Sequence, residues 1–250
     1  MDHAFPAPRL TQYDDEVALL TISEIAFPGS LTRESWEPNG IYIWIQGDPT
    51  SIESRQRASR RHNCVLGVLR AWWDDAGELA DERLAGLGPG TSRNRDGDQW
   101  ISVPSIVVRH GDENELRVFA RQVRTGISAS QHLKDALVIH GRVNRTSADH
   151  HLIHELAMLS FATEPQRTLR GRLPNGRKVR GADALLAIEA ALGVPALVQQ
   201  RFINSVNNLP PLEGGRHAAQ RFSASMTLDD QRLFTADLMK RWVETYDENP

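Results

Sequence analysis

The sequence predicts an α+β fold, in which an N-terminal module of mixed strands and helix precedes a mostly α-helical domain with a basic β-hairpin. Runs of β-branched and aromatic residues bounded by Pro and Gly are concentrated in the first half. Beyond residue 125 the apolar residues recur at helical spacing. We therefore divide the chain into an N-terminal arm (1–14), an α+β module (15–125) and a helical domain (126–247).

The α+β module is predicted from four strand-like segments and from one stretch in which apolar residues recur at helical spacing. The strand-like segments are 17–22, 41–45, 100–108 and 115–123. A long amphipathic helix is predicted from Ile52 onwards, because Cys64, Leu66, Leu69 and Trp72 recur near helical spacing. The arginines of this helix fall largely on its polar side: Arg55, Arg57, Arg60 and Arg61.

The helical domain is predicted to contain five helices. Their ranges are 130–142, 147–161, 182–192, 195–206 and 228–246. Thr227 stands at the N-cap position of the last one, followed by two aspartates that complement the helix dipole. One apolar face of this helix is predicted from Leu233, Phe234, Leu238 and Trp242.

Composition limits the class of protein. The chain has 250 residues, 40% of them hydrophobic, which is sufficient for a core and excludes disorder of the whole chain. The net charge of −3 provides no global positive field, so any nucleic-acid site has to be a local patch. The single cysteine, Cys64, and a start without signal-peptide character indicate a cytoplasmic protein. We expect no membrane association, because no apolar run reaches about 20 residues.

A basic hairpin is predicted within residues 168–180, where Asn175-Gly176 separates two short segments. Its cations, together with one just before it, are Arg167, Arg170, Arg172, Arg177, Lys178 and Arg180. Such a ribbon is predicted to bind the phosphate backbone of a nucleic acid. Alternatively, its charges only prevent an exposed strand edge from pairing with other chains.

A histidine cluster lies in residues 149–155, with His150 and His154 one helical turn apart. This spacing suits two metal-bound imidazoles. A zinc-protease helix, however, needs a second histidine where Met158 stands. We therefore predict neither a metal nor a cofactor, and the alternative role of these histidines is packing or capping.

Arginine–histidine pairs suggest acid–base chemistry on phosphate. Arg145 precedes His150 by five residues, although Arg57 and His62 satisfy the same spacing. A second candidate is Arg216 next to His217, which follows two glycines that free the backbone. Histidine transfers protons near its own pKa, and arginine stabilises the charge that develops on phosphate.

The alternative for this region is structural. Asn207 or Asn208 would then end a helix as a C-cap, and Arg216 would pair with a nearby acid such as Glu155.

The second half also resembles a known family over about residues 128–246. The resemblance is carried by segments 147–157, 201–207, 214–218 and 226–228, with Arg241 and Trp242. In arrangement this domain is similar to HEPN domains of bacterial proteins, many of which are metal-independent ribonucleases of defence and toxin systems. His151 and Gly215 depart from the family pattern. The resemblance implies a homo-oligomer and a candidate site formed by Glu155, Asn207, Arg216 and His217.

Two functions follow as hypotheses. The first is a metal-independent ribonuclease or RNA-directed effector of an antiviral defence or toxin system. In it His217 or His150 would act as acid or base, and Arg216 or Arg145 would stabilise the pentavalent phosphate.

The second hypothesis is a non-catalytic binding or assembly subunit that recognises a protein partner through the N-terminal module. The Glu155, Asn207, Arg216 and His217 cluster would then be structural. A weaker alternative is small-ligand sensing by the Gly-rich segment 86–91, which follows a helix and so lacks the context of a phosphate-binding loop.

Overall fold

Helices dominate the described part of the chain. The computed structural model describes residues 2–6, 21–28, 31–33, 41–46, 51–72, 92–93, 100–101, 113–142, 146–163, 181–208 and 225–246. Its helices are α1 (Ile52–Trp72), α2 (Glu113–Ala129), α3 (Gln131–His140), α4 (Ser147–Met158), α5 (Ala182–Leu192), α6 (Ala196–Asn208) and α7 (Leu228–Glu244). A π-helical turn, Leu159–Thr163, continues α4, and residues 21–26 are also helical.

Short strands accompany these helices. An antiparallel group has the order β1 (Asp2–Pro6), β3 (Ile41–Gln46), β2 (Leu31–Arg33), with Asp2 opposite Gln46 and Leu31 opposite Ile43. A two-residue pair joins β4 (Ser92–Arg93) to β5 (Trp100–Ile101). β3 coincides with the predicted segment 41–45, and β1 lies within the predicted N-terminal arm.

The predicted α+β fold class is wrong, because the described residues are mainly helical. The segment 115–123, predicted as a strand, lies inside α2, and residues 21 and 22 of the predicted strand 17–22 are helical. The reason is visible in α2, where the buried residues Leu116, Phe119 and Val123 recur at helical spacing and face the core. Burial of this stripe selects the helix over the strand that the β-branched residues favour.

The core joins helices from both sides of the predicted domain boundary, which falls inside α2. Large apolar side chains of α1, α2, α3, α4, α6 and α7 belong to one buried cluster. Trp72 of α1 contacts Phe119 of α2, with 5.4 Å between ring centroids. Trp242 of α7 is completely buried and meets Phe161 edge-on at 5.6 Å. Burying each such side chain contributes about 2 kcal/mol to the stability of the fold.

α1 and α3 pack unusually closely. A Cβ atom at Gly67 would overlap the carbonyl of Leu137, and one at Gly141 would overlap the carbonyl of Asn63. Beside this crossing, buried Arg70 donates hydrogen bonds to the carbonyls of His140 (3.1 Å) and Arg142 (2.7 Å). The guanidinium thus satisfies carbonyls at the C-terminal end of α3 and complements its dipole.

Capping boxes begin α4 and α7. The Thr227 hydroxyl accepts from the Asp230 amide at 3.1 Å, and the Asp230 carboxylate accepts from the Thr227 amide at 2.8 Å. The predicted N-cap of the last helix is therefore confirmed. Its predicted apolar face is partly wrong, because Leu233 is 47% exposed while Phe234 is buried. Among the residues that the structure describes, no helix is both long and apolar enough to span a bilayer.

Candidate functional site

α4 carries most of the candidate residues that the structure describes. His150 and His154 lie one turn apart and are both buried, as is His151, which lies between them in sequence. The contacts of His150 and His154 are consistent with the predicted shared face. His150 contacts Thr235 of α7, and His154 contacts the neighbouring Phe234. Glu155 follows in the next position and is half-buried.

His150 is bonded to α7. Its Nδ1 lies 2.8 Å from Oγ1 of Thr235, and that hydroxyl is directed at the carbonyls of Gln231 (3.0 Å) and Arg232 (2.9 Å). A hydroxyl has one proton, which Thr235 donates to its own helix. Its oxygen therefore accepts from His150, which places a proton on Nδ1 of the imidazole.

His154 is bonded to α6. Its Nε2 lies 3.1 Å from Oε1 of Gln199, whose Nε2 donates to the carbonyls of Leu185 (3.0 Å) and Val194 (2.7 Å). The amide nitrogen is thus engaged by two carbonyls, so its oxygen faces the imidazole and accepts a hydrogen bond from it. This contact links α4 to α6 and, through the amide, to Leu185 of α5 and to Val194, which follows α5.

The His154 ring also belongs to an aromatic group. Its centroid lies 5.6 Å from that of Phe202 and 6.1 Å from that of Phe234, and the two phenyl rings stack at 4.3 Å. Burial lowers the pKa of His154 from 6.5 to about 4, against a smaller opposing effect of the Gln199 hydrogen bond. The imidazole is therefore neutral at pH 7.

His151 and Glu155 form a pair along α4. Nε2 of His151 lies 2.9 Å from Oε1 of Glu155, whose side chain is 40% exposed. The carboxylate therefore interacts with its own helix at the protein surface. The structure places this candidate residue beside His151, a partner that the proposed four-residue cluster did not include.

Asn207 lies in the last turn of α6. Its Oδ1 is buried and has no hydrogen-bond partner among the residues that the structure describes. The helix ends at Asn208, whose side-chain amide donates to the carbonyl of Asn204. Both asparagines therefore lie in the last turn of α6.

Ser205 holds the segment that precedes α7 against α6. Its hydroxyl accepts from the amides of Ser225 (3.0 Å) and Met226 (2.9 Å) and donates to the carbonyl of Arg201 (2.9 Å). Residues 208 and 225 therefore both lie at the C-terminal end of α6, near Asn207.

The remaining candidates lie outside the described residues and stay predictions. They are Arg145, Arg216 and His217 of the proposed catalytic set, and Arg167, Arg170, Arg172, Arg177, Lys178 and Arg180 of the proposed nucleic-acid site. The glycine-rich segment 86–91 also lies outside. Both arginine–histidine pairs therefore include residues that the structure does not describe.

The chemistry open to the described side chains is limited. His150 and His154 bond to different helices, and no group of three or more His, Cys, Asp or Glu side chains in the described part is arranged to hold a metal. Cys64 is buried, and burial raises the pKa of its thiol to about 12. The thiol is thus neither ionised nor accessible as a nucleophile.

A row of arginines lies on α2 that the predicted strand did not indicate. Arg117, Arg121 and Arg124 are spaced i, i+4 and i+7 and share one face of the helix. Arg121 and Arg124 are exposed, and Arg117 is half-buried. The segment 115–123 was predicted as a strand, which ends before Arg124 and, if continued, would place Arg124 on the face opposite Arg121. The helical spacing of the three arginines is the signal that identifies the row.

No family model matches the chain, and neither does any curated protein or solved structure that was compared with it. The HEPN resemblance therefore stays a prediction, and function has to be argued from the geometry of the described residues.

Proposed function

We propose that the chain is a non-catalytic binding or assembly subunit in which the histidines of α4 are structural. One observation carries this proposal: His150, His151 and His154 each have a hydrogen-bond partner of their own within the fold, two of them on other helices. Residues recruited to bind and orient neighbouring helices are not available to bind a substrate.

Accessibility supports the proposal. General acid–base catalysis requires a side chain within hydrogen-bond reach of the reacting proton and a pKa near the working pH. His154 is completely buried, and its pKa is about 4. His150 is equally buried, and its Nδ1 is bonded to Thr235. A phosphate group cannot approach either ring without displacing α6 or α7.

The hydrogen bonds of His150 and His154 contribute to the free energy of unfolding. The hydrogen bonds of His150 and His154 connect α4 to α7 and to α6, across separations of 85 and 45 residues in sequence. Removing one partner leaves a buried polar group unsatisfied, which costs about 1–3 kcal/mol. The network therefore stabilises a helical scaffold whose surfaces are available for a partner.

The ribonuclease hypothesis differs from this proposal in the residues it requires. It named His217 or His150 as acid or base; with His150 buried and bonded to Thr235, it depends on His217, and on Arg216 or Arg145 as the group that stabilises the phosphate. The structure describes none of the three, and the described histidines do not contribute to it.

RNA cleavage and thermal unfolding together separate the two hypotheses. Wild type, His150→Ala, His217→Ala and the surface control Glu244→Ala would be incubated with total RNA in EDTA and analysed on a denaturing gel. We expect intact RNA in every lane, and a melting temperature lowered by several degrees in His150→Ala but not in Glu244→Ala. Cleavage by wild type that His217→Ala loses without a change in melting temperature would contradict the proposal.

A further inference from the structure

The outer face of α5 is apolar. The exposed residues of this helix are Ala182, Asp183, Leu186, Ala190 and Ala191. The charged residue among them, Asp183, lies in the first turn. Glu189, the second charged residue of α5, is engaged within the fold, where its carboxylate accepts from the Ala196 amide at 3.1 Å. A helix that is apolar on nearly all sides is typical of an element that is covered on all sides.

Neighbouring helices have the polar outer face that α5 lacks. The exposed residues of α3 are Gln131, Lys134 and Asp135, and beyond its first turn α6 exposes Gln200, Arg201 and Asn204. On α5 the side chain of Leu186 is 56% exposed, with alanines one turn before and one turn after it. Single exposed leucines are common on protein surfaces, whereas a continuous apolar face marks a contact surface.

Charged groups lie at both ends of this face. Asp183 is at the N-terminal end, and at the C-terminal end Nη1 of Arg241 lies 3.4 Å from the position that a Cβ atom would take at Gly193. Nε of Arg241 donates to Asp237 at 2.9 Å, and a guanidinium has further donors for a second carboxylate. The two ends are about 15 Å apart along the helix axis.

This arrangement is self-complementary. When two copies of α5 lie antiparallel about a two-fold axis at residue 188, Leu186 of each copy faces Ala190 of the other. A large side chain then packs against a small one at both symmetric positions, which allows the helices to approach closely. The same register places Asp183 of each copy beside Gly193 and Arg241 of the other, so that opposite charges meet at both ends.

We propose that the outer face of α5 binds the same face of a second copy of the chain, antiparallel and about a two-fold axis. The inference rests on the proposed function, because it names the partner of the assembly subunit. The composition and exposure of α5 support it independently of the HEPN resemblance. A face about 15 Å long and 10 Å wide is smaller than the standard interface of about 800 Å² per partner, so we expect the dimer to dissociate on dilution.

Sedimentation velocity of the full chain, at protein concentrations from about 2 to 200 µM, measures this equilibrium. Wild type is compared with Leu186→Glu. The matched control is Leu233→Glu, because Leu233 is 47% exposed on α7. Thermal unfolding shows that each variant is folded.

We expect a wild-type dimer whose dissociation constant rises about tenfold or more in Leu186→Glu, because two carboxylates would be buried against alanine without a partner. Leu233→Glu should leave the dissociation constant within about twofold of the wild-type value.

Cysteine cross-linking tests the register. Leu186→Cys and Ala190→Cys are treated with a mild oxidant, separately and as a mixture, and analysed on a non-reducing gel. Positions 186 and 190 of different copies face each other, whereas identical positions are offset by about 6 Å along the axis. We therefore expect more covalent dimer from the mixture than from either variant alone. The native Cys64 is buried and does not compete.

A wild type that is monomeric at every concentration would overturn the inference, and the occupant of the face would then be a different protein. Equal weakening by Leu186→Glu and Leu233→Glu also overturns it, as does a mixture that cross-links no better than the separate variants. RNA cleavage by wild type contradicts the non-catalytic subunit whether or not the protein dimerises. A monomer that leaves RNA intact contradicts only the dimer.

Discussion

Burial of His154 makes the stability of the fold depend on pH. The folded pKa of about 4 lies below the ordinary value of 6.5, so the unfolded chain binds the proton more readily. The stabilisation is complete above about pH 6.5 and is lost as the pH falls towards 4, by about 3 kcal/mol in total. Acid therefore destabilises the fold because the charged ring is buried, although the hydrogen bond to Gln199 favours the protonated form.

Urea unfolding of His154→Gln at pH 7 and pH 4.5 tests this effect. A glutamine amide can still donate to Gln199 but does not titrate in this range. We expect the loss of unfolding free energy between the two pH values to be smaller in His154→Gln than in wild type. An identical loss in both proteins would show that His154 does not cause the acid sensitivity.

At the same scale, local sequence could not reveal the partners of the candidate residues. The spacing of His150 and His154 predicted a shared helix face, and their contacts agree with it. Their partners, Thr235 and Gln199, lie 85 and 45 residues away in sequence. Whether a histidine is exposed for chemistry or bonded in the core is decided by these distant contacts, which no local pattern contains.

At the scale of the element, the close crossing of α1 and α3 is the most sensitive point. We expect Gly67→Ala to destabilise the protein by about 3 kcal/mol or more, because the new Cβ overlaps the Leu137 carbonyl. The helices cannot separate without straining the Arg70 hydrogen bonds to the end of α3.

Thermal unfolding measures this effect, with Gly193→Ala as the control. Gly193 is exposed at the C-cap of α5 with φ 65°, so alanine there costs only about 1 kcal/mol. An equal loss of stability in both variants would show that the α1–α3 crossing tolerates a side chain.

Helices with clear capping residues or breakers at their ends were predicted more accurately than helices without them. The predicted helix 182–192 has the bounds of α5, and α7 begins where Thr227 predicted. α2 was missed because Leu116, Val118 and Ala120 alternate with other residues as in a strand, whereas burial of Leu116, Phe119 and Val123 follows the helical period. This error concealed the arginine row, since only a helix aligns all three cations.

At the scale of the whole molecule, one core joins α1 and α2 to the helices that follow them. The sequence predicted separate modules because strand-like runs were concentrated before residue 125. In the described residues, apolar faces at helical spacing from both halves belong to one buried cluster.

The central claim, that the histidines of α4 hold the helices together, is tested most directly by a double-mutant cycle. The free energy of unfolding would be measured for wild type, His150→Leu, Thr235→Val and the double variant. A hydrogen bond between the two side chains predicts a coupling energy of about 1 kcal/mol or more. Strictly additive losses would contradict the account, because His150 would then stabilise nothing through Thr235.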